Sequence, residues 1–257
     1  MSSQAVSQSD TVALTCKGLT KRFGGLEAVK DVELRLVKGE RRAIIGPNGA
    51  GKTTLFGLIS GLLPVSEGSI HIFGKEMTHL ACHRRTALGL GRTFQITNLF
   101  TSLTVLENLV IATMGLDTMK FSMLRPLSTY TALHQQAMEL LERVGMADKS
   151  ATVVKNLSYG EQRQIEVALA LASDPKVLLL DEPAAGLSTA DSTLMVEMIR
   201  KLDPEITILI IEHDMDVAFE VASRITVLNH GSVFAEGETK EIRENSEVQA
   251  IYFGTDE

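Results

Sequence analysis

Apolar residues along the chain follow two periods. Val32-Glu33-Leu34-Arg35-Leu36 alternates strictly, as does Ile70-His71-Ile72, so each predicts a strand with one buried and one wet face. Val12–Cys16, Ala43–Ile45 and Ser69–Phe73 are further short runs, bounded mostly by Gly, Lys or Glu, and are read as strands too. VLLLD (177–181) and ITILIIE (206–212) are apolar almost throughout, as strands buried on both faces must be. A helical stretch over about 191–202 lies between them. Leu133, Ala137, Leu140, Leu141 and Val144 instead recur at helical spacing, and Gly145 stands where a glycine ends a helix. The middle of the chain, about 99–145, is therefore read mainly as helix. Ile225–Asn229 and Ser232–Ala235 flank His230-Gly231 and predict a hairpin. Buried strands alternating with helices imply a parallel sheet covered on both faces, with the helical middle inserted as a subdomain.

Composition narrows the class. The 257 residues carry a net charge of −7, which argues against nucleic acid as a partner because phosphate neutralisation needs a basic face. An apolar fraction of 44% excludes a disordered chain. Mean hydropathy is +0.11, yet the longest charge-free stretches, 53–66 and 93–106, fall short of the ~18 residues a spanning helix needs. The polar opening, residues 1–10, predicts a flexible tail with no signal peptide. Cys16 and Cys82 are too few for a disulfide framework and are expected as buried or half-buried thiols in a reducing compartment. The expected location is cytoplasmic.

Chemistry enters at Gly46-Pro47-Asn48-Gly49-Ala50-Gly51-Lys52-Thr53-Thr54, which fits G-x-x-x-x-G-K-[ST] between a strand and a helix. Glycines let successive amides point inward as an anion nest, and the helix adds its positive end. Lys52 is expected on the β- and γ-phosphates of ATP, and the Thr53 hydroxyl on Mg2+. The strand Val177–Leu180 ends in Asp181 and Glu182 at the edge where parallel sheets hold ligands. Asp181 is the expected metal carboxylate, and Glu182 the group that takes a proton from water. His71, His79, His83, His134 and His230 show no metal-ligand spacing.

Leu157-Ser158-Tyr159-Gly160-Glu161-Gln162 lies just upstream of that strand and resembles the signature motif of ATP-binding cassette (ABC) proteins. Ser158, Gly160 and Glu161 open a second helix whose N-terminus can face an anion. The resemblance implies that this terminus reaches the γ-phosphate held by another subunit. It also implies that Phe23 stacks on adenine, Gln95 links the Mg2+ site to the helical subdomain, and His213 contacts the γ-phosphate. Two positions depart from the family pattern: Ser188 stands where Asp is usual, and Leu169 where Arg is common.

The fold so implied is α/β. It has a P-loop nucleotide hydrolase core with a mostly parallel sheet, an N-terminal antiparallel β subdomain and a helical subdomain inserted at about 97–165. All of it lies in one domain over 11–254. LSYGEQRQIEV, RTFQ with LFTSLTVLENL, EPAAGL, IIEHDMDV and VQAIYFG resemble the ATPases of bacterial branched-chain amino acid importers, in particular the larger of the pair. That likeness implies partners: a second ATPase subunit (a paralogue or a second copy), transmembrane permeases and, indirectly, a periplasmic solute-binding protein. It places the chain on the inner face of the plasma membrane. A groove near Gln95 to Leu106 is expected to receive a permease helix, with Phe94, Leu99, Phe100 and Leu103 either lining it or filling the subdomain core. The alternatives are the ATPase of another ABC system, such as a lipopolysaccharide exporter, and a non-catalytic nucleotide-binding regulator.

Overall fold

The computed structural model describes residues 11–93, 99–114 and 131–253. Expectations for the tail over 1–10, for Phe94 and Gln95, and for Gly254 lie outside the described residues.

Two sheets lie side by side. A four-stranded antiparallel sheet has the order β2-β1-β4-β5, from β1 (Val12–Phe23), β2 (Leu26–Val37), β4 (Glu67–Ile72) and β5 (Lys75–Glu76). The alternation over 32–36 and 70–72 emerges as expected, with Val32, Leu34, Leu36, Ile70 and Ile72 buried and Glu33 and Arg35 in water. A six-stranded sheet runs β10-β9-β3-β8-β7-β6. Its members are β3 (Arg41–Ile45), β6 (Leu90–Arg92), β7 (Val177–Asp181), β8 (Thr207–Ile211), β9 (Arg224–Asn229) and β10 (Ser232–Glu238). All neighbours pair in parallel except the edge hairpin β9–β10. His230 and Gly231 both take positive φ, 47° and 85°, which matches the twist of a two-residue hairpin turn.

Helices cover both faces of this sheet, and the strands alternate between them. Leu178, Leu180, Ile208 and Ile210 join one core with α3 (Val105–Met114), α4 (Thr131–Arg143), α5 (Tyr159–Leu171) and α6 (Thr189–Lys201). Val177, Leu179, Leu209 and Ile211 join another with α1 (Lys52–Ser60) and the antiparallel sheet. Beside the second core lies α2 (Cys82–Ala87). A smaller cluster packs Ala43, Ile45, Ile225 and Val227 under α7 (Met215–Val221), α8 (Thr239–Glu244) and α9 (Ser246–Phe253). The heptad-like row Leu133, Ala137, Leu140, Leu141 and Val144 is buried, and Gly145 takes φ 73° just past α4. Helix α5 begins two residues before Glu161. Cys16 is buried, Cys82 is half-buried, and both are free thiols. Burial pushes the Cys16 thiol up to about 12, which leaves it inert. Among the described residues no helix is long and apolar enough to cross a membrane.

Candidate functional site

The loop 46–51 joins β3 to α1 in a conformation that only glycine permits at two points. Gly46 has φ 155°, and a Cβ there would stand 2.2 Å from the Leu228 carbonyl oxygen of β9. Gly51 has φ 102°, and its Cβ would stand 2.4 Å from the Ala28 carbonyl oxygen of β2. The loop is thus wedged between the two sheets, and the wedge needs bare backbone. Gly231 locks it further by donating to the Ala50 carbonyl at 2.9 Å. Leu55 makes the first helical bond, to Gly51 at 2.8 Å. The amides of Lys52, Thr53 and Thr54 therefore lie in the first turn, where an α-helix offers no carbonyl partner. Asn48, Gly49 and Thr53 are exposed, while Pro47 is half-buried. Lys52 is buried, and its Nζ donates to the Gly46 carbonyl at 2.6 Å and the Pro47 carbonyl at 3.1 Å. Burial lowers its pKa, and the charge of Glu182 works against that shift.

Asp181 ends β7 with its side chain buried, and its Oδ1 has no hydrogen bond. Its amide donates to Thr93 Oγ1 at 3.1 Å, and the Thr93 amide donates to Leu179 at 2.9 Å. Burial, then the neighbouring Glu182, raises the Asp181 carboxyl to about 6, against the pull of Arg92 and Arg163. A buried oxygen without a partner is the donor a hard dication takes. Among the described residues no cluster of three or more His, Cys, Asp or Glu could hold a metal alone. The unpartnered Asp181 oxygen and the exposed Thr53 hydroxyl are each oxygen donors of the kind a hard dication such as Mg2+ takes.

Glu182 has φ 46°, an uncommon conformation for a side chain of its size. Its amide donates to Ile211 at 2.9 Å. His213 follows β8, is 55% exposed, and places Nδ1 3.9 Å from both Glu182 Oε2 and Glu212 Oε2. Glu212 is a site residue that sequence reasoning missed. It is fully buried, accepts the Ala184 amide at 3.1 Å, and burial raises its carboxyl to about 7. Its signal in the sequence is an acid that closes an otherwise apolar strand beside the histidine.

Phe23 ends β1 as a residue 47% exposed, with Lys21 Nζ 5.0 Å from the ring centre. An exposed ring on the hairpin that flanks the Gly51 wedge suits a stacking surface. The signature residues stand apart from the loop: among the described residues no hydrogen bond or ion pair joins 157–162 to 46–53. Ser158 is the N-cap of α5, with Oγ accepting the Glu161 amide at 3.2 Å. Gly160 is buried where a Cβ would meet Asp191 at 2.8 Å. Glu161, expected at the ligand, also braces its own helix. Its carboxylate accepts the Ser158 amide at 2.8 Å and pairs with Lys149 at 2.9 Å. Ser188 caps α6, accepting from the Asp191 amide and donating to the Asp191 carboxylate at 2.7 Å.

A groove of about 240 Å³ opens beside α3 and α5, and Arg92, Phe100, Asn108, Glu166 and Leu169 line part of it. The expected apolar set divides here. Phe100 is exposed and lines the groove, Leu99 is buried in the helical core, and Leu103 is half-buried.

Comparison with known proteins gives one consistent answer. Residues 29–185 match the family described as ABC transporter. The chain is 38% identical over 248 residues to the high-affinity branched-chain amino acid transport ATP-binding protein LivG of Salmonella typhimurium, spanning 94% of this chain and 97% of that one. It is 37% identical over the same shares to BraF of Pseudomonas aeruginosa, which carries the same description. Among solved structures it resembles a nucleotide-free ATP-binding cassette from an ABC transporter, with TM-score 0.84 and 29% identity over 95% of this chain and 99% of that one. A cassette in its ADP conformation matches over the same shares with TM-score 0.81. With its phosphate loop, strand-end acids and signature helix, the chain belongs to the ABC transporter family as one of its ATP-binding cassettes.

Proposed function

We propose that the chain hydrolyses MgATP to power a bacterial importer of branched-chain amino acids or related small polar solutes. The observation that carries the cargo assignment is the likeness to LivG and BraF along nearly the whole chain. Cargo is chosen by other subunits. This accounts for the 36% identity the chain also shares with the sulfate/thiosulfate import ATP-binding protein of Bacillus cereus.

The residues divide the work. The amides opening α1 and Lys52 hold the phosphates of ATP, and Thr53 and Asp181 hold Mg2+. Gln95 takes the linking role that the resemblance gives it. Mg2+, when bound, supplies charge neutralisation on the phosphates. Phe23 offers its exposed ring to the adenine. Glu182 accepts a proton from the attacking water, with His213 beside it. The signature helix, capped by Ser158, shares no hydrogen bond with its own phosphate loop among the described residues, and its N-terminus serves the nucleotide of a second cassette. The whole of 11–254 acts as one ATPase domain, with its helical part near 97–165 meeting the permease. The groove beside Phe100 and Leu169 is the surface that receives a permease helix, which holds the chain on the inner face of the membrane.

Reconstitution with the permeases and the periplasmic binding protein tests this reading. ATP turnover should rise severalfold when the binding protein is loaded with leucine, isoleucine or valine. Turnover indifferent to them but driven by lipopolysaccharide would move the chain to an exporter. No turnover in any complex would make it a non-catalytic regulator.

A further inference from the structure

Glu212 is costly to the fold and unexplained by it. A carboxyl with no exposed surface at the end of an apolar strand lowers stability unless something employs it. Its two oxygens have different surroundings. Oε1 accepts the amide of Ala184, two residues beyond Glu182, at 3.1 Å. Oε2 is buried, makes no hydrogen bond, and stands 3.9 Å from His213 Nδ1.

The turn it touches is strained. Glu182 sits at φ 46°, and such a conformation persists only where its surroundings over-determine it. Two bonds from the end of β8 do so here. One is main-chain, Glu182 amide to Ile211 carbonyl at 2.9 Å; the other is the Ala184 amide to Glu212. The first belongs to any parallel pair of strands. The second exists only because residue 212 carries an acceptor long enough to reach across. Burial pushes the Glu212 carboxyl up to about 7 even though the Ala184 amide bond pulls the other way, with the charge of Glu182 adding to the rise.

We infer that Glu212 is a positioning residue: one carboxyl clamps the turn that aims Glu182 and at the same time abuts the imidazole of His213, so the two groups share one support. This rests on the reading of Glu182 as the group that takes the proton from water.

Three variants of the full-length chain test it: Glu212→Met (same reach, no acceptor), Glu212→Gln (acceptor kept) and Glu212→Asp (carboxyl kept, reach lost). The first readout is hydrogen exchange at the Ala184 amide, which needs no turnover. Glu212→Met and Glu212→Asp should speed that exchange by about tenfold or more, and Glu212→Gln should leave it within about threefold of wild type. In the assembled complex the first two should lower kcat about tenfold or more, with the KM for ATP and the affinity for MgADP within about twofold. Glu212→Gln should restore kcat. Unchanged exchange and kcat in Glu212→Met overturn the inference. So does parallel loss of kcat, MgADP affinity and melting temperature that Glu212→Gln does not rescue, since that marks a residue of the fold alone. If Glu212→Met does not fold, Glu212→Asp decides. A Glu182→Gln control separates the two claims. Wild-type turnover in that control sinks the role of Glu182, while the Ala184 exchange still judges the clamp.

Discussion

Lys52 donates to the carbonyl of Gly46 across 2.6 Å, closing the phosphate loop on itself from its seventh residue to its first. The buried ammonium thus holds the loop in the shape that leaves the amides of α1 facing outward. Lys52→Ala should lower MgATP and MgADP affinity by at least about tenfold, because loop shape and phosphate charge pairing are lost together. Titration with a fluorescent ADP analogue measures this. Affinity within about twofold of wild type would remove Lys52 from the site.

The two raised carboxyls predict how stability depends on pH. Asp181 (about 6) and Glu212 (about 7) bind protons more tightly folded than unfolded, so the contribution of these two groups to stability falls as pH rises from about 4 to 7. Asp181→Asn removes one of these groups. Its stability relative to wild type should therefore be higher at pH 8 than at pH 4. Urea unfolding of both proteins across that range checks it. Parallel curves for the two proteins would show that Asp181 is not shifted.

Arg85 makes a different prediction. Its guanidinium is buried and donates to four carbonyls: Leu58 (2.6 Å) and Ile59 (2.7 Å) in the last turn of α1, Thr78 (2.9 Å) and Leu80 (2.8 Å). It ties the last turn of α1 to the loop between β5 and α2. Arg85→Met strands those carbonyls and should cost ~3–5 kcal/mol in urea unfolding. Nucleotide affinity of the folded protein should move by less than about threefold, since the phosphates meet the opposite end of α1. A stability change under ~1 kcal/mol would mean that water replaces the arginine without loss.

Much of this was legible in the sequence, for local reasons. The phosphate loop, the strand ending in Asp181-Glu182 and the hairpin at His230-Gly231 each depend on residues adjacent in the chain. What escaped depends on residues far apart. β6 is three residues with a glycine at its centre, and only pairing with β7 makes it a strand. Arg85 reads as a surface charge until the fold brings Leu58 to it, and Glu212 reads as a strand end until Ala184 arrives. Leu99 and Phe100 are sequence neighbours with opposite fates, one in the helical core and one in the groove. Glu161 shows the converse: a motif residue whose carboxylate bonds within its own helix turn, in a capping box.

The claim on which the rest depends is that Glu182 takes the proton from the attacking water. Steady-state hydrolysis of saturating MgATP by the Glu182→Gln variant, in the reconstituted complex, tests it most directly. Turnover should fall by at least about 100-fold, with MgATP still bound within about threefold of wild-type affinity and holding the cassettes together as a stable dimer. Turnover within about threefold of wild type would contradict it.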